Sequence, residues 1–199
     1  MERIVLATRN PDKVREIRAI LSAVPVELVD LDNFPGAPEV VEDGKTLEAN
    51  ALKKAREIVL ATSIPAIADD TGLEVFELDL RPGVYSSRYA GEDASYADNC
   101  RKLVSELRHV PESRRGARFR CIAVFTDGRH ERIAEGICHG KIIDSPHGAG
   151  GFGYDPLFVP DGYSLTFAEL PPDIKNRISH RAKAFAKMAE ILSEYYPNR

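Results

Sequence analysis

The sequence has no apolar run long enough to cross a bilayer. Its longest uninterrupted stretch is the five residues Cys121 to Phe125, against the roughly 20 that a spanning helix needs, so no membrane segment is expected. Cysteine is scarce: Cys100, Cys121 and Cys138 are the only three in 199 residues, and they form no CxxC pair. An odd set of this kind reads as reduced thiols used for packing. The opening Met-Glu-Arg runs straight into Ile4-Val5-Leu6-Ala7 with neither a long apolar region nor a small-residue cleavage site. The reading is a cytoplasmic address without a secretory leader. Internal repeats, low-complexity segments and long linkers are missing too, which predicts a single domain over residues 1–199. Also absent are a GxxxxGK[ST] phosphate loop and any Ser–His–Asp or Cys–His signature of a nucleophilic enzyme.

What is present is the composition of an ordinary globular protein, 43% hydrophobic and 29% charged, which excludes disorder and collagen-like or coiled-coil repeats. The formal net charge is −4, 27 basic against 31 acidic side chains, which disfavours a protein that must neutralise many nucleic-acid phosphates. Positive charge is nevertheless concentrated locally. Lys175, Arg177, Arg181, Lys183 and Lys187 follow one another with no acid among them, enough to meet a small anionic ligand.

Periodicity supplies the elements. Arg3 to Ala7 reads as a buried strand. Apolar residues at Val14, Ile17, Ile20, Leu21 and Val24 mark one stripe of a helix over Lys13 to Val24, with Asn10 as cap and Pro11 as its first residue. A second helix is predicted from Leu47 to about Leu60 behind Thr46, and a third over about Tyr96 to Leu107 behind Ser95. Between these two helices, Ala66 to Ala68 reads as a buried strand ending in a polar turn, Asp69-Asp70-Thr71-Gly72, before Leu73 to Leu78 resumes an extended pattern. Alternation around Phe119 to Phe125, the Asp127-Gly128 turn and the segment Glu131 to His139 predict a hairpin. Pro156 to Val159 can form a further strand, and Ser179 can cap a last helix built on Phe185, Met188, Ala189 and Leu192. Parallel crossovers early and a hairpin late imply a mixed α/β sheet.

Four segments could carry chemistry, each with a plainer alternative. Thr8-Arg9-Asn10-Pro11-Asp12-Lys13 lies where a strand hands over to a helix, so exposed N–H groups and the positive helix end can hold phosphate oxygens. The same features describe an ordinary capped turn. Asp69 and Asp70 close a buried strand, where ligands gather in α/β sheets, but adjacent side chains diverge, so one of them faces such a site. With Glu42 and Glu48 they offer hard oxygens without His or Cys, a donor set suited to Mg²⁺, and Thr71 adds a hydroxyl. The alternative is a solvated Asx bend. Gly150 to Pro156 carries Phe152, Gly153, Tyr154 and Asp155, with glycines that admit close backbone approach and rings on which a base can stack; it is equally a bulged entry into a strand with Phe152 in the core. Ser179-His180-Arg181, preceded by Lys175, sets donors at a helix start, or forms an exposed basic helix. Together the four describe a nucleotide enzyme.

The order of IVLATRNPDK, EDGKTLEANALKKA, AIADDTGL, PGVYSSRYAGEDA, GGFGYDPLF and ISHRAKAF resembles the inosine/xanthosine triphosphate pyrophosphatase family over nearly the whole chain. The resemblance implies an elongated mixed β-sheet flanked by helices in two lobes with a cleft between them, and a homodimer. It implies hydrolysis of ITP, dITP or XTP to the monophosphate and pyrophosphate with Mg²⁺. By motif position, Thr8, Arg9, Asn10, Pro11, Asp12 and Lys13 would hold the triphosphate, and Glu42 and Asp70 would bind the metal. Asp70 would also accept the proton of the attacking water. Thr71 stands where the family usually has serine. Phe152, Gly153, Tyr154 and Asp155 would clasp base and sugar, while Lys175, His180 and Arg181 would contact phosphate or the 6-oxo edge. Asp12 occupies a position that is often glycine, and Ala49 one that is often glutamate, which leaves Glu48 as a provisional ligand. Two other readings share these residues: a nucleotide sensor without chemistry, which the pair of carboxylates disfavours, and a pyrophosphatase acting on modified pyrimidine or methylated nucleotides.

Overall fold

The computed structural model describes residues 2–197. Among them six strands form one mixed sheet in the order β2-β1-β3-β4-β5-β6, and the α/β class read from the sequence holds. β1 (Glu2–Leu6) pairs in parallel with β2 (Val26–Asp30), Ile4 against Leu28, and with β3 (Ala66–Val75), Val5 against Ala66 and Leu6 against Ile67. Ile4, Val5 and Leu6 are fully buried, as expected of a strand covered on both faces. β4 (Gly116–Thr126) and β5 (Glu131–Ile142) are neighbours joined by four residues, a link that only an antiparallel hairpin can make. The short β6 (Phe158–Pro160) pairs antiparallel with β5.

The helices begin where their caps dictate. Asn10 Oδ1 accepts from the N–H groups of Asp12 and Lys13, starting α1 (Pro11–Ile20) at the proline. The stripe predicted as far as Val24 stops early because Pro25 follows Val24 and disfavours helical backbone before it. Thr46 caps α2 (Leu47–Thr62), which ends where Ser63 turns left-handed at φ 56°. Ser95 and Asp98 exchange bonds in a capping box at the head of α3 (Tyr96–Leu107). A short α4 (Pro172–Ile178), which the sequence pattern does not announce, ends at Ser179, and α5 (His180–Tyr195) follows directly.

One local expectation is overturned. Asp69-Asp70-Thr71-Gly72 is no turn: β3 runs unbroken through it to Val75, and residues 76–78 form a short 3₁₀ turn instead of further strand. Aspartate favours turns because its carboxylate bonds nearby backbone. Here cations occupy both carboxylates, and the backbone remains extended.

The chain forms two compact units. The first comprises Met1–Asp70, Cys121–Gly136 and His180–Arg199, the second Thr71–Arg120 and Ile137–Ser179. The first is built on Ile4, Leu6, Ile17, Ile67, Phe125, Phe185 and Met188. At Gly136 in β5, a Cβ would lie 2.0 Å from the His180 carbonyl oxygen and 2.4 Å from the Ala184 nitrogen. Only glycine lets the first turn of α5 lie so close to the strand, and that contact fixes where His180 and Arg181 sit. The second unit is built on Leu73, Leu103, Phe119, Phe158 and Phe167, with Phe119 edge-on to Phe158 at 4.8 Å between ring centres. All three cysteines are buried thiols outside any disulfide, as read.

Candidate functional site

In the first unit, β3 divides two adjacent carboxylates between its faces, because successive side chains of a strand point in opposite directions. Asp69, 1% exposed, receives Lys13 Nζ at 3.0 Å and Arg181 Nη2 at 3.1 Å, and Arg181 Nη1 donates to Glu16 at 2.7 Å. Burial alone would push the Asp69 carboxyl up, but the charges of Lys13, Arg181 and Lys54 outweigh it and hold the group well below the usual carboxylate range.

Asp70 belongs to a different cluster. Lys54, reaching from α2, places Nζ 2.7 Å from Glu42 and 3.7 Å from Asp70, while Asn50 Nδ2 donates to Asp70 at 3.0 Å. Burial raises the Asp70 carboxyl; Lys54 draws it down, Glu42 raises it again, and the balance lies above the ordinary value. Burial opposes the charge of Lys54, but Asp70, Glu42 and Asp69 more than restore it and raise its pKa. Glu42 and Asp70 thus share one ammonium, and this pair of hard oxygen donors is set around a position already occupied by positive charge.

The α1 turn adjoins Lys13. Thr8 Oγ1 accepts from the Asn10 N–H at 3.2 Å, and Pro11 opens the helix. Arg9 and Asp12 are engaged elsewhere, Arg9 with the Ala37 carbonyl and Asp32, Asp12 with Arg15. Glu48 is exposed on α2. Among the described residues no group of three or more His, Cys, Asp or Glu is arranged to hold a metal ion. Thr71 is half-buried one residue beyond Asp70. His180 and Arg181, read from sequence as ligand-contacting, are 3% and 1% exposed at the head of α5.

In the second unit the loop after Gly150 is tied down by Asp155. Its Oδ2 accepts from the Phe152 N–H at 2.8 Å and from Lys175 Nζ at 2.6 Å, and both charged residues are buried. The same ammonium lies 4.9 Å from the centre of the Phe152 ring, within cation–π range. Tyr154 is buried and donates to the Ser86 carbonyl at 2.8 Å. Phe152 itself is half-buried, with Tyr96 tilted against it at 6.0 Å. Beside the loop, a cavity of about 630 Å³ is lined by Tyr96, Cys100, Val104, Pro146, Gly153 and Pro156 among others.

Sequence reasoning missed Lys54, Asn50 and Glu16. A signal for the first two exists in hindsight. They stand at i and i+4 on the α2 face that also carries Leu47, Ala51, Ala55 and Ile58, and polar residues on a core-facing stripe need partners.

A mixed α/β sheet whose strand β3 carries two adjacent buried carboxylates, each met by a lysine, is suited to handling an anion. The chain belongs to the Ham1 family, whose profile matches residues 4–191. It is 53% identical over 193 residues to the dITP/XTP pyrophosphatase of Geobacter sulfurreducens, covering 96% of this chain and 97% of that one. It is 49% identical over 195 residues to the dITP/XTP pyrophosphatase of Geobacillus kaustophilus, with coverage of 98% and 96%. Among solved structures it resembles a HAM1 protein from Coxiella burnetii with a TM-score of 0.89 and 37% identity, over 98% of this chain and all of the other.

Proposed function

We propose that this protein hydrolyses the non-standard purine nucleoside triphosphates dITP, XTP and ITP to the nucleoside monophosphate and pyrophosphate, clearing deaminated purines from the nucleotide pool. The observation that carries this reading is the Glu42–Lys54–Asp70 cluster beside the Lys13–Asp69 pair. Lys54, buried, and Lys13, half-buried, are held in place by carboxylates within a single unit, in a chain similar to enzymes of that name.

The donor set suits Mg²⁺: two carboxylates without His or Cys, few enough to leave room for water and phosphate oxygens. When bound, the ion would neutralise phosphate charge and leave the phosphoanhydride more open to attack. The protein's own groups do the rest. Lys13 and Lys54 stabilise charge on the transferring phosphate, and the α1 N-terminus with Thr8 and Asn10 adds dipoles directed at an anion. Asp69 keeps Lys13 in place. Asp70 orients the attacking water and takes its proton. Phe152, with Lys175 behind it, offers a flat face on which a base can stack, and in the first unit Arg181 joins Lys13 in holding Asp69. Among the described residues no helix is long and apolar enough to cross a membrane; a cytoplasmic homodimer is the working state we propose.

Anion-exchange analysis of products tests the proposal. With Mg²⁺, monophosphate and pyrophosphate should form from ITP, dITP and XTP while ATP, GTP and dTTP stay largely intact. Nucleoside diphosphate and phosphate would overturn the cleavage site, and equal turnover of ATP would overturn the specificity.

A further inference from the structure

Asn50 is fully buried and bridges Asp70 to the backbone of the segment that carries Glu42. Its Nδ2 donates to Asp70 Oδ2 at 3.0 Å, and its Oδ1 accepts from the Gly44 N–H at 2.8 Å. Gly44 lies two residues beyond Glu42. The chemistry allows one orientation of the amide, since a carboxylate only accepts and a backbone N–H only donates. The approach at Gly44 is close: a Cβ there would stand 2.5 Å from Asn50 Oδ1 and 3.0 Å from the Ala49 Cβ. Asn50 shares its face of α2 with Lys54, one turn on, whose ammonium meets both carboxylates. One helix turn therefore presents two contacts to the pair, a flexible charge and a rigid planar amide.

We infer that Asn50 is the positioning residue of the site, a single amide that sets the segment carrying Glu42 and the strand carrying Asp70 in fixed relation so that both carboxylates can engage one divalent cation. It touches neither substrate nor reacting atoms. A Lys–carboxylate contact tolerates many geometries, because an ammonium is a point charge on a flexible stem, whereas an amide with two partners defines direction. Groups that orient metal ligands in this way typically matter by about 10–100-fold in metal affinity.

The inference rests on the proposed metal-assisted pyrophosphatase activity, and its test separates the two. Binding of the non-hydrolysable α,β-methylene analogue of dITP is measured by calorimetry in Mg²⁺ and again in EDTA, for the parent protein and for Asn50→Ala, Asn50→Asp and Gly44→Ala. The parent should bind more tightly in Mg²⁺. In Asn50→Ala that enhancement should shrink by about tenfold, while affinity in EDTA stays within about twofold of the parent. Gly44→Ala disturbs the same amide from the loop side, without touching the core of α2, and should shift the enhancement in the same direction. Asn50→Asp retains an acceptor for Gly44 but sets a second carboxylate against Asp70, and should also lose enhancement. A parent-like ratio in Gly44→Ala together with either folded Asn50 variant overturns the inference while leaving the proposed function standing. Absence of any Mg²⁺ effect in the parent overturns the metal reading and this inference with it.

Discussion

The two units bury different things. In the first, a fully buried aspartate, an arginine 1% exposed and a lysine 8% exposed lie among aliphatic side chains. In the second, rings take a larger share of the interior, with Phe119, Phe158, Phe167 and Tyr154 set among leucines, and the buried Lys175–Asp155 pair is used to brace a loop. Burying charge is costly and stabilises little unless every ion is matched, whereas rings stabilise wherever they pack. A core of matched ions is nonetheless suited to a ligand that brings ions of its own, because the partners can be exchanged. A core of rings is suited to holding one rigid surface. The division teaches that the first unit is organised for charge and the second for shape.

The largest expected way to break this contrast is Asp70→Asn, which removes charge with little change of shape. Turnover should fall by about 10²–10⁴-fold or more, with much of the nucleotide affinity retained, as judged by steady-state rates beside equilibrium binding. A variant with near-normal kcat would remove Asp70 from the chemistry. Next is Asp69→Ala, which leaves the buried Arg181 with Glu16 alone and takes from Lys13 its carboxylate, and should cost about 3–5 kcal/mol in urea unfolding. A loss below about 1 kcal/mol would mean that the first unit does not depend on matched charge.

On the side of shape, Phe152→Ala should weaken nucleotide binding by about 1–3 kcal/mol while barely changing stability, since the ring is half-buried and lies outside the aromatic core. Unaltered binding would return Phe152 to a packing role. The smallest effect concerns Cys100, whose thiol is pushed up to about 11 by burial and, next, by the charge of Asp155. The folded chain keeps this proton where an unfolded thiol would lose it. The associated stability is therefore complete below the ordinary thiol value of about 8.5 and is lost as pH rises from there toward 11. Alkylation of Cys100 at pH 8, followed by peptide mass mapping, should be about a hundredfold slower in the native protein than in urea, in proportion to thiolate. Equal rates would place the thiol in an ordinary environment.

Much of the fold was legible because its signals are local. Asn10 before Pro11, Thr46 before Leu47 and Ser95 before Tyr96 name their helix starts without reference to the rest of the chain. The strand through Asp69 and Asp70 was not, since its partners Lys13, Lys54 and Arg181 are distant in sequence and only their arrival turns a turn-forming tetrad into extended backbone. α4 escaped for another reason: at seven residues it offers barely two turns of periodicity. For the site, sequence exposed the residues with conspicuous chemistry. It left Glu16 and Asn50 unseen, because a glutamate or an asparagine in a helix looks like surface until its partner is known.

Asp69 and Asp70 are chemically identical, and nothing intrinsic to either says which anchors cations and which stands with Glu42. The assignment is made by β1, which fixes Ala66 opposite Val5 and Ile67 opposite Leu6. A shift of β3 by one residue would leave the composition untouched and exchange the two aspartates between the faces of the sheet. The reactive identity of a side chain is here an address, written in the hydrogen bonds of a neighbouring strand that carries no ionisable partner of its own at those positions.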